Sequence, residues 1–168
     1  MAHHVKITLP TKINPEKLWQ IISDFSSVER FSSSVKSSPI ISDIKTGVGT
    51  TRKCTLYDQG TLVEKITEID EGKGLKFAVT EFSLPLVSLV AGMGVTDQGD
   101  GTGELYMEMN YVVKYGPIGF LMGSLMMPMM MKKMMKSILT GLAFHAQSGE
   151  TIGEEMPSSE KLNFALSN

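Results

Sequence analysis

Cysteine is nearly absent. Cys54 stands alone in 168 residues, so no internal disulfide can form, which fits a reducing compartment and the expectation of a cytoplasmic protein. Charge of one sign is also missing. Sixteen Lys and Arg face eighteen Asp and Glu, for a net charge of −2. The basic residues are scattered, and the tightest cluster, Lys132, Lys133 and Lys136, is too small for a nucleic-acid footprint. Nucleic acid is therefore not an expected partner. The first residues, MAHHVKITLP, lack the apolar core of a secretory signal. His3 and His4 have no third or fourth ligand nearby, so neither a metal site nor a cofactor is expected. The glycines of QGDGTG do not form a phosphate loop, and the segment joins two strand-like stretches as a hairpin turn would. No GxSxG nucleophile motif occurs.

Long hydrophobic runs are lacking too, although one segment imitates one. Eight of the thirteen methionines fall between Met122 and Met135. The charge-free stretch 115–131 is broken by three glycines and two prolines, and Lys132 and Lys133 end it. A spanning helix wants about 20 predominantly apolar residues, so no stable membrane span is expected. The methionines are spread along several turns, which does not suit a copper site converging on one point. At 100° per residue, Met127, Met130, Met131, Met134, Met135, Ile138, Leu139 and Leu142 share one half of a helix. Lys132, Lys133, Lys136, Ser137, Thr140 and Gln147 take the other. The pattern predicts an amphipathic helix lying on a core. Its flexible thioethers would either fill irregular core gaps or form an adaptable pocket wall. Pro128 should kink this helix or mark a restart, and Gly116, Gly119 and Gly123 loosen its approach.

Apolar residues make up 42% of the chain and charged residues 20%, as in a globular domain. Val5, Ile7 and Leu9 alternate as in a strand. Asn14 and Pro15 then read as the cap and first position of a helix with Leu18, Trp19, Ile21, Ile22 and Phe25 on its apolar face. SSVERF reads as a short helical turn, and SSSVKSSPIISD as a loop entering an edge strand. From Gly47 to Tyr115 the pattern is strand and turn throughout. The order is one strand, two short helices, about six strands and a long helix, which makes an α+β domain in which a sheet curls around a helix. A single domain is expected over residues 1–148, with 149–168 a polar appendage in which SSEKLNFAL could form a short terminal helix.

Arg52 and Cys54 share one strand face, and Leu62, Glu64 and Ile66 share another. A three-residue loop Asp58–Gln59–Gly60, with Gly60 left-handed, would pair Tyr57 with Thr61 and set Cys54 opposite Glu64, with Arg52 diagonal to it, whereas a two-residue turn would put Arg52 and Glu64 on opposite faces. Such a pair could orient a ligand's carbonyl or hydroxyl, or could be no more than a cross-strand pair on the rim. His145 projects toward the apolar arc. It would be a general acid–base group or, at a helix end, a histidine satisfied by backbone. Tyr111 should face inward with Met107 and Met109.

The chain resembles the START-like (SRPBCC) superfamily with the helix-grip fold, in its polyketide cyclase/dehydrase-type branch. The resemblance covers about residues 3–146. It rests on Pro15, Trp19, Asp24 and Phe25 in NPEKLWQIISDF, on Gly49, Arg52, Gly60 and Glu64 in GVGTTRKCTLYDQGTLVEK, and on the long helix after YVVKYGP. It implies a curved antiparallel sheet of six or seven strands gripping the C-terminal helix, with an apolar cavity between. Members bind lipids, hormones, polyketides or other apolar molecules, and some are enzymes. The residues expected to contact such a ligand are Arg52, Cys54, Glu64, Phe77, Met107, Met109, Tyr111, Met127, Met130, Met131, Met134 and Ile138. The leading expectation is a binder or carrier of an apolar small molecule of lipid, polyketide or aromatic type. A second is a cyclase or dehydratase, whose catalytic groups would be Arg52, Glu64 and His145, with Tyr111 helping to position the substrate. A third is a protein-interaction module whose partner meets exposed methionines, with a collapsed interior.

Overall fold

The structure is a computed structural model that describes residues 2–114 and 125–167. Seven antiparallel strands form one sheet, β1 (Ala2–Pro10), β2 (Val35–Ser37), β3 (Thr51–Leu56), β4 (Thr61–Asp70), β5 (Gly74–Thr80), β6 (Leu86–Asp97) and β7 (Gly103–Val113), in the spatial order β1-β7-β6-β5-β4-β3-β2. Consecutive strands β2 to β7 are neighbours, and β1 closes onto β7 with Val5 opposite Met109. Alternation holds most clearly in β7, where Leu105, Met107, Met109 and Tyr111 are buried. Burying one face of such strands is the main term holding the sheet to its covering helix.

The first helix, Pro15–Ser23, begins as its sequence predicts. Asn14 Oδ1 accepts from the Glu16 and Lys17 amides at 2.9 and 3.4 Å, and proline opens the helix. Leu18, Trp19 and Ile22 are buried, and Trp19 Nε1 donates to Glu71 at 3.0 Å. A 3-10 turn follows at Val28–Arg30. The long helix runs Met127–Ser148. Pro128 sits in its first turn, just after a π turn at residues 125–126, and so stands where the α-helix begins. Gly149, with φ 73°, ends the helix and donates to the His145 carbonyl. Gly116, Gly119 and Gly123 lie outside the described residues. Among those described, no helix is long and apolar enough to cross a membrane.

Met127, Met131, Met135, Leu139 and Leu142 are buried against the sheet, and Lys132, Lys133 and Lys136 face out, as the 100° pattern predicts. The last turns depart from it, because Gly141, Ala143 and Phe144 are buried as well. Gly141 abuts the Phe31 carbonyl and Ile152. Ile152 is itself buried, and its amide donates to the Arg30 carbonyl at 2.8 Å. A terminal helix, Ser159–Ser167, follows, with Lys161 bridging to Glu150 and lying 5.6 Å from the Phe144 ring.

Candidate functional site: an apolar cavity with one ion pair

The β3–β4 turn sets the register of the site, and it differs from the expected one. Thr61 pairs with Thr55 and not with Tyr57. The left-handed residue is Gln59, at φ 71°, and not Gly60. Asp58 explains the shift, because its Oδ1 captures the Gly60 amide at 2.9 Å, an Asx turn that places the tight bend one residue earlier. Moving the pairing by two residues preserves facing, so Arg52 and Glu64 still share a face. They now stand directly opposite each other, and Leu62, not Glu64, is the residue opposite Cys54.

Arg52 is 6% exposed. Its Nε donates to Glu64 Oε2 at 2.5 Å and its Nη1 to the Phe25 carbonyl at 2.5 Å. The guanidinium lies 3.9 Å from the Phe25 ring centroid and 5.8 Å from that of Phe77. A planar cation lying against the Phe25 ring, with Phe77 edge-on to that ring, and forked onto two oxygens is held in one orientation. The Cys54 thiol donates to Glu64 Oε2 at 3.5 Å. Burial, and then the Glu64 carboxylate, push that thiol from its ordinary 9.0 up to about 12, which makes it an inert wall group and no nucleophile.

These residues line a cavity of about 280 Å³ between the sheet and the long helix. Ten of the twelve expected contact residues are on its wall: Arg52, Cys54, Glu64, Phe77, Met107, Met109, Met130, Met131, Met134 and Ile138. Tyr111 and Met127 are buried but are not among the lining residues. Tyr111 shares a cross-strand row with Glu64, but Val79 and Leu89 stand between them. Three strand spacings of about 4.8 Å separate the two. Tyr111 stacks instead on His3, ring centroids 5.3 Å apart. His145 is also away from the cavity, with its Nδ1 2.7 Å from the Glu150 carbonyl at the helix end. The four groups expected of a cyclase therefore do not converge.

The sequence reading missed the Phe82–Leu84 turn and the wall residues Val79, Leu89, Ala91 and Met93. The strand residues carry the same parity as Phe77 and Met107, a signal that was available. The turn carries none. A larger hollow of about 560 Å³ lies beyond Phe25, lined by Trp19, Asp24, Lys45 and Glu71 among others. Its wall mixes apolar and charged side chains, whereas the cavity beside the helix is apolar with convergent polar groups, the usual form of a ligand site.

The sequence pattern described as "Polyketide cyclase / dehydrase and lipid transport" matches residues 2–147. The chain belongs to that family. The comparison with curated proteins gave no match. Solved structures similar to this polyketide cyclase/dehydrase-type chain include a protein from Thermobifida fusca, at 16% identity over 85% of this chain and 92% of that one, TM-score 0.70. Another is a START superfamily protein from Mycobacterium smegmatis, at 13% identity over 83% and 94%, TM-score 0.66. A third is the XoxI protein of Bacillus cereus, at 15% identity over 83% and 92%, TM-score 0.67. Identities this low speak for the fold alone, and the fold is the START-like helix grip of this family.

Proposed function

We propose that this polyketide cyclase/dehydrase-type chain binds or carries a neutral, largely apolar small molecule bearing one hydroxyl or enol group, of lipid, polyketide or aromatic type. The observation that carries this reading is the buried Arg52–Glu64 pair in a mostly apolar cavity, whose other polar lining includes Asp58, Thr61, Ser32, Ser34 and Ser83. Arg52 Nη2 and Glu64 Oε1 have no hydrogen-bond partner among the described residues, and neither is a sealed buried atom. Together they present one donor and one acceptor. A hydroxyl can accept from the first and donate to the second. A carboxylate would meet Glu64, and an ammonium would meet Arg52, so either charged head would carry an unpaired charge into an apolar space. The cavity volume sits at the small end of the range for small-molecule sites. The methionines of the long helix supply an adaptable wall for the apolar body. Catalysis is the weaker reading, because His145 and Tyr111 stand away from the pair and the Cys54 thiol beside it holds its proton.

The test compares decanol, decanoate and decylamine as matched probes, by thermal shift and native mass spectrometry. Decanol is expected to raise the melting temperature most, by mass action on the folded state. The double variant Arg52→Met/Glu64→Leu is expected to keep binding a decyl chain and to lose the preference among heads. Equal responses to all three probes, or none to any, would sink the proposal.

A further inference from the structure

The outward side of the long helix's N-terminal end carries a second feature that the cavity does not use. Leu125, Met126, Met129 and Met130 are 64, 69, 75 and 45% exposed. At 100° per residue, Met129, Lys132, Lys133 and Lys136 project away from the buried Met127, and the exposed Leu125 and Met126 precede them in a π turn. This side therefore reads apolar for one turn and cationic for the next two. The midpoints of the two groups are about 10 Å apart along the axis, at 1.5 Å per residue. A helix lying in the interface plane buries its apolar side about 5–10 Å deep, with lysine stems reaching up to the phosphates. The charge is one-sided as well. From Met109 to Gly149 the sequence holds Lys114, Lys132, Lys133 and Lys136 and not one Asp or Glu, although the whole chain is at −2. The acids Asp58 and Glu81 sit on turns of the sheet, not on this helix. Met130 belongs both to this surface and to the cavity wall, so the apolar turn borders the cavity.

We propose that this end of the helix docks onto an anionic phospholipid surface, with Leu125, Met126 and Met129 entering the interface and Lys132, Lys133 and Lys136 meeting the phosphates. The docking is peripheral, since no described helix can span. It stands on the surface and not on what fills the cavity, and vesicle binding reads it without any cavity ligand.

The experiment is co-sedimentation of the full chain with vesicles of phosphatidylcholine alone and of phosphatidylcholine mixed with phosphatidylglycerol. The protein is expected to pellet with the anionic vesicles and to be released by salt. Each lysine replaced by alanine should weaken binding roughly five-fold. Met126→Ser/Met129→Ser should weaken it on the order of tenfold and, both side chains being exposed, keep the wild-type melting temperature as a folding control. Failure to pellet with anionic vesicles, or equal binding to neutral ones, overturns the proposal. So does a concentration-dependent dimer that the two methionine changes abolish, which would make the surface an interface between copies of this chain.

Discussion

A buried arginine is held here by more than its ion pair. Arg52 reaches the Phe25 carbonyl from one nitrogen and Glu64 from another, with the Phe25 ring 3.9 Å away and Phe77 at 5.8 Å. Removing Glu64 alone would strand a cation that has almost no solvent, typically a loss of about 3–5 kcal/mol. That is why the functional test replaces both partners, a change that is often neutral for stability. Cys54 is the more direct reporter of the same corner. Its thiol ionises at about 12 in the folded chain against an ordinary 9.0. Below pH 9 both states keep the proton and the group contributes no slope. Between about 9 and 12 the unfolded chain releases it while the folded chain retains it, so stability falls as pH rises, by at most about 1.4 kcal/mol per pH unit. Burial also raises Tyr106 and Tyr111, and they act with the same sign. The difference between wild type and Cys54→Ala isolates the thiol. Urea unfolding at stepped pH should show a steeper alkaline decline for the wild type, and parallel curves would disprove the assignment.

At the scale of the element, the long helix is two structures end to end. Its first turns present methionine to the cavity and to the outside, and its last turns are enclosed on both sides. Gly141 marks the enclosed part. Alanine would gain about 1 kcal/mol of helix propensity there, but its Cβ would run into the Phe31 carbonyl and Ile152. A backbone oxygen cannot step aside as a flexible side chain does, so overpacking of about 1–3 kcal/mol should win. Gly141→Ala is expected to lower the melting temperature by several degrees, at about 2–4 °C per kcal/mol for a chain of this size. A higher melting temperature would show that the 3-10 turn yields. The helix's existence, its inward methionine face and its outward lysines were legible from a 3.6-residue period. Burial of Gly141 and Phe144 was not, because what packs there, Phe31 and Ile152 against the one and Lys161 against the other, is fixed only by folding.

At the scale of the whole molecule, the chain after Gly149 decides whether the domain ends with the long helix. Ile152 is 3% exposed and tied to Arg30 through its amide, which favours counting the segment as part of the domain and not as an appendage. Ile152→Ala should then cost about 2–4 kcal/mol, read as a drop of about 5–12 °C in thermal unfolding. An unchanged melting temperature would return the segment to the status of a tail. By itself the sequence determined the order of elements, the cap at Asn14 and the facing of alternating strands such as β7, because these rest on local periodicity and backbone preference. That Arg52 and Glu64 share a face depended on the turn, since a shift of two residues leaves parity intact and a shift of one would reverse it. Only the tertiary structure decided that they stand directly opposite, because Asp58 moved the turn. It also separated Tyr111 and His145 from them. Parity says which way a side chain points, whereas the distance between side chains depends on how many strands lie between and on where the helix ends.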